Sequence, residues 1–232
     1  MFNIIQDPKW FTFQYQGRRL DSISKFIRQF TPEFDSDGIS KAYAIKHGLE
    51  QQAVLDMWKE KADKSKRRGI FIHKCVELFL KHGEILETPD EKLISAKSLM
   101  NVYLKLGEFS NNYETIGIEM VVGDPDNNIA GVFDYLGKHK QTNDYMLIDW
   151  KTNEEIKTKN KWQSFLEPIS NIPHANFYEY SLQLSLLKHC IKKDLNIEIN
   201  NMILFHISDN IVTYPVSFME KEINAMFEYS KN

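Results

Sequence analysis

Asp149, Trp150 and Lys151 close a run that reads Tyr145, Met146, Leu147, Ile148 and opens into Thr152 and Asn153. Apolar, β-favouring residues leading into polar ones are the sequence form of a strand that ends in a loop. Side chains two apart on a strand share a face, so Asp149 and Lys151 point the same way. A carboxylate beside an ammonium at a strand end can hold a divalent metal ion and a phosphate oxygen. An ordinary salt-bridged strand end has the same form, so the triplet alone does not decide. Two further acids fall into step with it: Glu119, Asp134 and Asp149 are separated by 15 residues in each interval. Each sits on a predicted strand, and in a meander residues at similar heights on neighbouring strands meet. Parity does not settle their faces, because register and bulges are not readable.

Carboxylates gathered beside an apolar sheet repel one another and resist burial unless a positive charge sits among them. A divalent ion removes that cost. Oxygen ligands point to Mg²⁺ or Mn²⁺ rather than structural zinc. His73 is a candidate nitrogen ligand, which favours tolerance of Mn²⁺. His73 and Glu77, four apart on a predicted helix, are either half of a metal site or an ordinary helix pair. A metal, a lysine and a water suit phosphodiester hydrolysis: the metal acidifies the water, and Lys151 adds charge where negative charge develops. Lys151 would assist as a base only with a depressed pKa. Lys61, Lys64, Lys66, Arg67, Arg68 and Lys74 form a basic track running up to His73, interrupted by the single acid Asp63. It is either a solvated face or a guide for a phosphate backbone.

The elements that must position these groups follow from periodicity. Phe11, Phe13 and Tyr15 alternate with polar residues as in a strand, turned by Gly17. Asp21 or Ser22 caps a helix that carries Ile23, Phe26, Ile27 and Phe30 on one face, and Pro32 ends it. A helix from Ser40 to His47 either stops at Gly48 or continues toward Trp58. Residues 59–68 are a solvent-facing helix extension or a loop. Ile70 to His82 is a helix with an apolar stripe of Ile72, Val76, Phe79 and Leu80. Pro89 opens the next, which includes Leu93 and closes at Gly107. Three strands follow, 114–122, 129–137 and one ending at Asp149, joined too tightly for crossovers and hence antiparallel. The polar connection from Thr152 to Asn171, with Trp162, Phe165 and Leu166 embedded, is long enough for a short helix. A helix from His174 to Lys193, strands 202–206 and 211–216 around an Asp209-Asn210 turn, and a helix from Phe218 to Tyr229 complete the chain.

The 232 residues, 42% of them apolar, suit one elaborated domain. No apolar run reaches membrane-spanning length, and residues 1–9 lack the pattern of a secretory signal. Cys75 and Cys190 are too few for an iron–sulphur cluster, a cysteine zinc site or a disulfide framework. A cytoplasmic protein is the expectation, in a host cytoplasm if phage-encoded. The net charge of −3 argues against a chain coated by nucleic acid but leaves room for an acidic centre with a local basic track.

Taken together, several segments resemble PD-(D/E)xK nucleases of the RecB nuclease-domain and mitochondrial genome maintenance exonuclease type, and more distantly lambda-type phage exonucleases. The matching segments are Gly69 to His73 with Glu77, Glu119, Gly131 to Asp134, Ile148 to Lys151, and Tyr180 to Leu184. They span about half the chain. The resemblance implies an α/β, restriction-endonuclease-like core at 69–232, a central mixed sheet flanked by helices, with a helical extension at 1–68. It implies that Asp134, Asp149 and the Trp150 carbonyl bind the metal with His73, that Glu119 stands in or next to that set, and that Lys151 is the catalytic lysine. Tyr180 and Gln183 would border the site and contact nucleic acid or orient catalytic groups. From periodicity alone Tyr180 reads as core and Gln183 as surface. Lys64, Lys66, Arg67, Arg68 and Lys74 are the nucleic-acid candidates. No GxxxxGK[ST] motif is present, so no helicase is built in.

The expected function is a Mg²⁺- or Mn²⁺-dependent deoxyribonuclease, an exonuclease on single-stranded or end-accessible DNA in recombination, repair or phage DNA processing. The partner is DNA, with room for a recombination or replication protein. A structure-specific endonuclease and a DNA-binding subunit with little activity alone are the other two readings.

Overall fold

The computed structural model describes residues 1–7, 12–90, 93–208 and 211–231. Phe11 and the Asp209-Asn210 turn lie outside the described residues. The strands are β1 (Ile4–Asp7), β2 (Thr12–Tyr15), β3 (Arg18–Ser22), β4 (Tyr113–Asp124), β5 (Ile129–His139), β6 (Tyr145–Lys151), β7 (Asn201–Ile207) and β8 (Ile211–Val216). They form one mixed sheet in the order β1-β2-β3-β5-β6-β7-β8, with β4 paired to β5. The helices are α1 (Ile23–Arg28), α2 (Ser36–His47), α3 (Gln51–His82), α4 (Ala96–Asn112), α5 (Asn176–Leu195) and α6 (Glu220–Tyr229). The chain is thus α/β with a central mixed sheet between helices, as expected. No helix among the described residues is long and apolar enough to cross a membrane.

Two apolar layers sandwich the sheet. Phe26 and Ile27 of α1, Leu184 and Leu187 of α5 and Met226 of α6 pack on one face. Ile72 and Val76 of α3 and Leu99 and Val102 of α4 pack on the other. Strand β6 shows how period-two alternation divides them: Leu147 joins the α5 layer, while Met146, Ile148 and Trp150 join the α3–α4 layer. The expected meander is present, since β4 pairs antiparallel with β5 and β5 with β6.

Local chemistry explains where several boundaries differ from the sequence reading. α2 stops at Gly48, whose left-handed φ of 63° lets its N–H reach the Ala44 carbonyl. Residues 59–68 are helical extension and not loop, because α3 runs unbroken through Gly69. Gly69 is where the helix presses on the end of β6: a Cβ there would lie 3.2 Å from Thr152 Oγ1. The boundary expected between residues 68 and 69 therefore falls inside one helix, and residues 1–68 contain three strands as well as helices. α4 opens at Ser95, whose hydroxyl accepts from Ser98 N, and not at Pro89, so Leu93 precedes the helix. Gly107 lies within α4 and does not close it. Residues 152–171 contain no helix; backbone bonds such as Phe165 N to Ile172 O fold them into turns.

A buried hydrogen bond ties the end of β4 to α5. Asp124 is fully buried, and its Oδ2 lies 2.7 Å from His189 Nε2 and also accepts from Asn127 Nδ2. Burial alone would raise the Asp124 pKa, but these hydrogen bonds hold it down at about 2. A carboxyl depressed on folding lends stability above its unfolded value, lost as pH falls through its folded one. Asp124→Asn is expected to cost about 2 kcal/mol near pH 5, and the gap to the parent should shrink by about half by pH 3. Urea unfolding at the two pH values checks this.

Candidate metal and phosphodiester site

Strands β4 and β5 change faces together at the site. On β5, Phe133 packs in the α5 layer but Tyr135, two residues on, packs in the α3–α4 layer. On β4, Ile118 packs in the α3–α4 layer while Met120 packs against the α5 layer. Uninterrupted alternation would keep each strand's pattern in step with its layers. The switch falls at Glu119 and Asp134, the two positions between the register pairs Ile118↔Tyr135 and Met120↔Phe133. Glu119 makes it by adopting a left-handed φ of 51° in the middle of a strand. That conformation costs a non-glycine residue roughly 1–2 kcal/mol and is the kind of local strain found at functional positions.

The neighbouring strand parts at the same level. β6 pairs with β5 only as far as Tyr135↔Ile148. Beyond that point the Asp134 carboxylate replaces the ladder, its Oδ2 accepting from Trp150 N at 2.8 Å. The Trp150 ring is buried and meets Phe205 edge-on. On the opposite side, His73 of α3 donates from Nε2 to the Trp150 carbonyl at 3.1 Å. The carbonyl expected as a ligand thus orients the imidazole and leaves Nδ1 facing the acids. His73 Nδ1 is 3.7 Å from both Glu119 Oε1 and Asp134 Oδ1. One ligand atom from each of His73, Glu119 and Asp134 lies within 4.8 Å of the others.

Asp149 stands apart from this trio. It is 3% exposed and faces α5, with Oδ2 at 2.7 Å from Lys151 Nζ. That contact is an ion pair without hydrogen-bond alignment, and Asp149 Oδ2 has no hydrogen-bond partner. Gln183 bridges the pair, accepting from Lys151 Nζ at 3.1 Å and donating to Asp149 Oδ1 at 3.3 Å. The Lys151 ammonium also lies over the Tyr180 ring, 4.4 Å from its centre. Gln183 and Tyr180 are therefore neither plain surface nor plain core; both position Lys151.

The charges follow from the burial. Desolvation lifts the Asp134 carboxyl to about 7, with the Asp149 charge adding to it. His73 rises to about 9: burial opposes this, but a bond to Glu119 and the charges of Asp134 and Asp149 outweigh it. Lys151 is also raised, because Asp149 and Asp134 outweigh its desolvation. Lys151 is thus an ammonium and not a base. The His73 imidazolium and the Lys151 ammonium supply positive charge among the three acids, and a proton on Asp134 removes a negative one. The donor set fits a divalent cation: two carboxylates and an imidazole converge, and the like charge of Asp149 on Asp134 adds to the cost that a cation there would remove. An oxygen-rich set with one nitrogen suits Mg²⁺ or Mn²⁺.

The outer residues sort differently from the sequence reading. Glu77 pairs with Lys74 and Lys81 and does not join the trio. Arg68 donates to the Thr152 and Ile207 carbonyls, so it ties α3 to the ends of β6 and β7. Lys61 pairs with Glu154. Lys64, Lys66, Arg67 and Lys74 are exposed on α3. Lys74 borders an open cleft of about 600 Å³ together with Ile70, His73 and Glu119. A second cleft is lined by Arg28, His174 and Glu179 together with Tyr180 and Gln183, the two residues that hold Lys151. Arg28 and His174 carry no motif that the sequence reading could have used.

No protein-family model matches the sequence, and no curated protein matches it. Among solved structures, the chain is similar to an inferred exonuclease from Eubacterium rectale, at 9% identity over 88% of this chain and 68% of that one, with a TM-score of 0.38. A likeness this remote carries no residue roles.

The electrostatics and the strain are each testable. Without metal, stability should fall as pH rises from about 4 to 7 through Asp134 and from about 6.5 to 9 through His73, since both folded-state values are raised. Mn²⁺ or Mg²⁺ should restore it, with a larger rise in Tm at pH 8.5 than at pH 6. Thermal melts in EDTA and in metal check both signs. Without metal, Glu119→Gly should be about 1 kcal/mol more stable than Glu119→Ala, since both lose the carboxylate that faces His73 and only glycine releases the left-handed strain; both should show a smaller metal-induced rise in Tm. Equal stability of the two variants would show that the backbone there is unstrained.

Proposed function

We propose that the protein hydrolyses phosphodiester bonds in DNA with a divalent metal ion, acting as an exonuclease on single-stranded or end-accessible DNA. The observation that carries this reading is that two groups meet at Asp134, whose carboxyl feels the charges of both: the His73–Glu119–Asp134 trio and the Lys151 ammonium fixed by Asp149 and Gln183. A metal bound there would supply Lewis acidity and lower the pKa of a water. The chain's own residues do the rest. Glu119, Asp134 and Nδ1 of His73 provide the donors, and the Trp150 carbonyl holds the imidazole in the orientation that presents Nδ1. Lys151 presents a fixed positive charge to a phosphoryl oxygen, where it stabilises charge developing in the transition state. Tyr180 and Gln183 keep that ammonium from turning away.

DNA is the proposed substrate because exposed Lys66, Arg67 and Lys74 on α3 lead toward the cleft at His73. Such a track raises the local concentration of a phosphate backbone in a protein whose net charge is −3. Preference for ends is proposed because the first half of α3, on which α2 packs, runs straight into the helix turns that border that cleft. From Leu55 to Phe71 no α3 residue is buried, and Lys61 and Arg68 tether this helical arm to the segment after β6, so it is held where it can wall one side of the strand path. Recombination, repair or phage DNA processing, in the cytoplasm of the cell or of a host, is the setting proposed with it.

End-labelled linear and covalently closed circular DNA, each single- and double-stranded, would be incubated with Mg²⁺ or Mn²⁺. Label should leave linear DNA only. Lys151→Ala should lower the rate at least ~100-fold while the metal-induced rise in Tm persists, since Lys151 is no ligand. Cutting of closed circles would replace the exonuclease with an endonuclease. Cleavage that does not depend on Lys151 would overturn the site assignment.

A further inference from the structure

The connection between β6 and α5 carries a side chain that the site does not use. Trp162 is 92% exposed, although tryptophan is among the side chains with most to gain from burial. Its backbone is anchored. Asn160 Oδ1 accepts from Trp162 N at 3.0 Å and from Gln163 N at 3.2 Å, closing a turn. Asn160 Nδ2 donates to the His174 carbonyl at 2.7 Å, and His174 N donates to the Gln163 carbonyl at 2.9 Å. Phe165, three residues on, is buried edge-on against the His174 ring. The turn is thus pinned on both sides while the indole stands in water.

Its neighbours carry charge. Lys157, Lys159 and Lys161 are all exposed, and none forms an ion pair among the described residues. The turn also connects to the site. His174, to which it is pinned, pairs with Glu179 at 2.6 Å, and both line the cleft that contains Tyr180 and Gln183. Tyr180 and Gln183 are the residues that hold Lys151. The cleft is therefore lined by the two residues that hold Lys151, and its wall continues through His174 into the turn that presents Trp162.

An exposed aromatic ring on a fixed backbone, set among unpaired lysines, matches what single-stranded nucleic acid requires: a face on which a base can stack, and cations for the phosphates beside it. A base within a duplex has no free face, so the strand must be single where it meets this turn. We propose that Trp162 stacks on a base of single-stranded DNA leading to or from the site, with Lys157, Lys159 and Lys161 pairing with the flanking phosphates. The proposal rests on the nuclease reading above and adds where the strand runs and in what state.

The test measures binding of a labelled single-stranded oligonucleotide, with Ca²⁺ in place of Mg²⁺, to the full chain and to Trp162→Ala and Trp162→Phe. Trp162→Ala should weaken binding about tenfold, and Trp162→Phe, which keeps a ring, much less. The oligonucleotide should quench tryptophan emission in the parent, and that quench should be lost in Trp162→Phe. The metal-induced rise in Tm should be the same in Trp162→Ala as in the parent, showing an intact site. If the parent binds and cuts DNA but Trp162→Ala binds equally well, the stacking site is overturned and the nuclease reading stands. If the parent takes up metal yet neither binds nor cuts DNA, both fall together.

Discussion

Repulsion among Glu119, Asp134 and Asp149 is the constraint on which this structure turns. Three carboxylates at the meeting point of three strands cannot all ionise in a half-buried place without cations. The protein answers on both faces of the sheet. On the α3 face, His73 takes a proton and sits between Glu119 and Asp134. On the α5 face, Lys151 pairs with Asp149 and is kept there by Gln183 and the Tyr180 ring. Removing a partner would leave a buried charge uncompensated, which costs far more than an exposed ion pair is worth. The packing of α3 and α5 against opposite faces of the sheet is therefore inseparable from the charge balance between them.

The same constraint explains the backbone. A regular β4–β5 ladder would alternate without interruption, and Glu119 and Asp134 would not break the layers. The left-handed residue at 119 reverses the alternation, and Asp134 faces the gap where β6 leaves β5. Its carboxylate then takes up the Trp150 N–H that the ladder abandons, so no backbone donor is orphaned by the split. Strain at one residue and a shortened strand pairing bring the acids together, and the two apolar layers hold that arrangement. The stability given up at Glu119 and in the like charges is small against the burial of a mixed sheet on both faces, which is why such a site is tolerated.

Much of this was legible in the residues. The period of two on β6 placed Asp149 and Lys151 on one side, and they lie 2.7 Å apart. Ile23, Phe26, Ile27 and Phe30 on one helical face are all buried. The face switch at Glu119 and Asp134 was not legible, because a positive φ at a glutamate has no signature in side-chain type. Helix ends were missed where tertiary packing overrode local signals: Gly107 is carried inside α4 and Gly69 inside α3. Arg68 belonged to a charge run by sequence, but only the fold places the Thr152 and Ile207 carbonyls in its reach. Glu77 has the right spacing from His73, yet the lysines at 74 and 81 claim it.

The distribution of cations on α3 follows from that sorting. Of the six basic residues between Lys61 and Lys74, Lys61 is paired with Glu154, Arg68 bonds backbone carbonyls and Lys74 shares Glu77 with Lys81. Lys64, Lys66 and Arg67 form no ion pair among the described residues. The basic face is thus weaker than its composition suggests, in keeping with the overall negative charge. A backbone held by so few cations would bind loosely and with strong dependence on salt. Affinity would then have to come from contacts that salt does not screen. Near the site, an exposed aromatic ring on an anchored turn is the kind of group that supplies them.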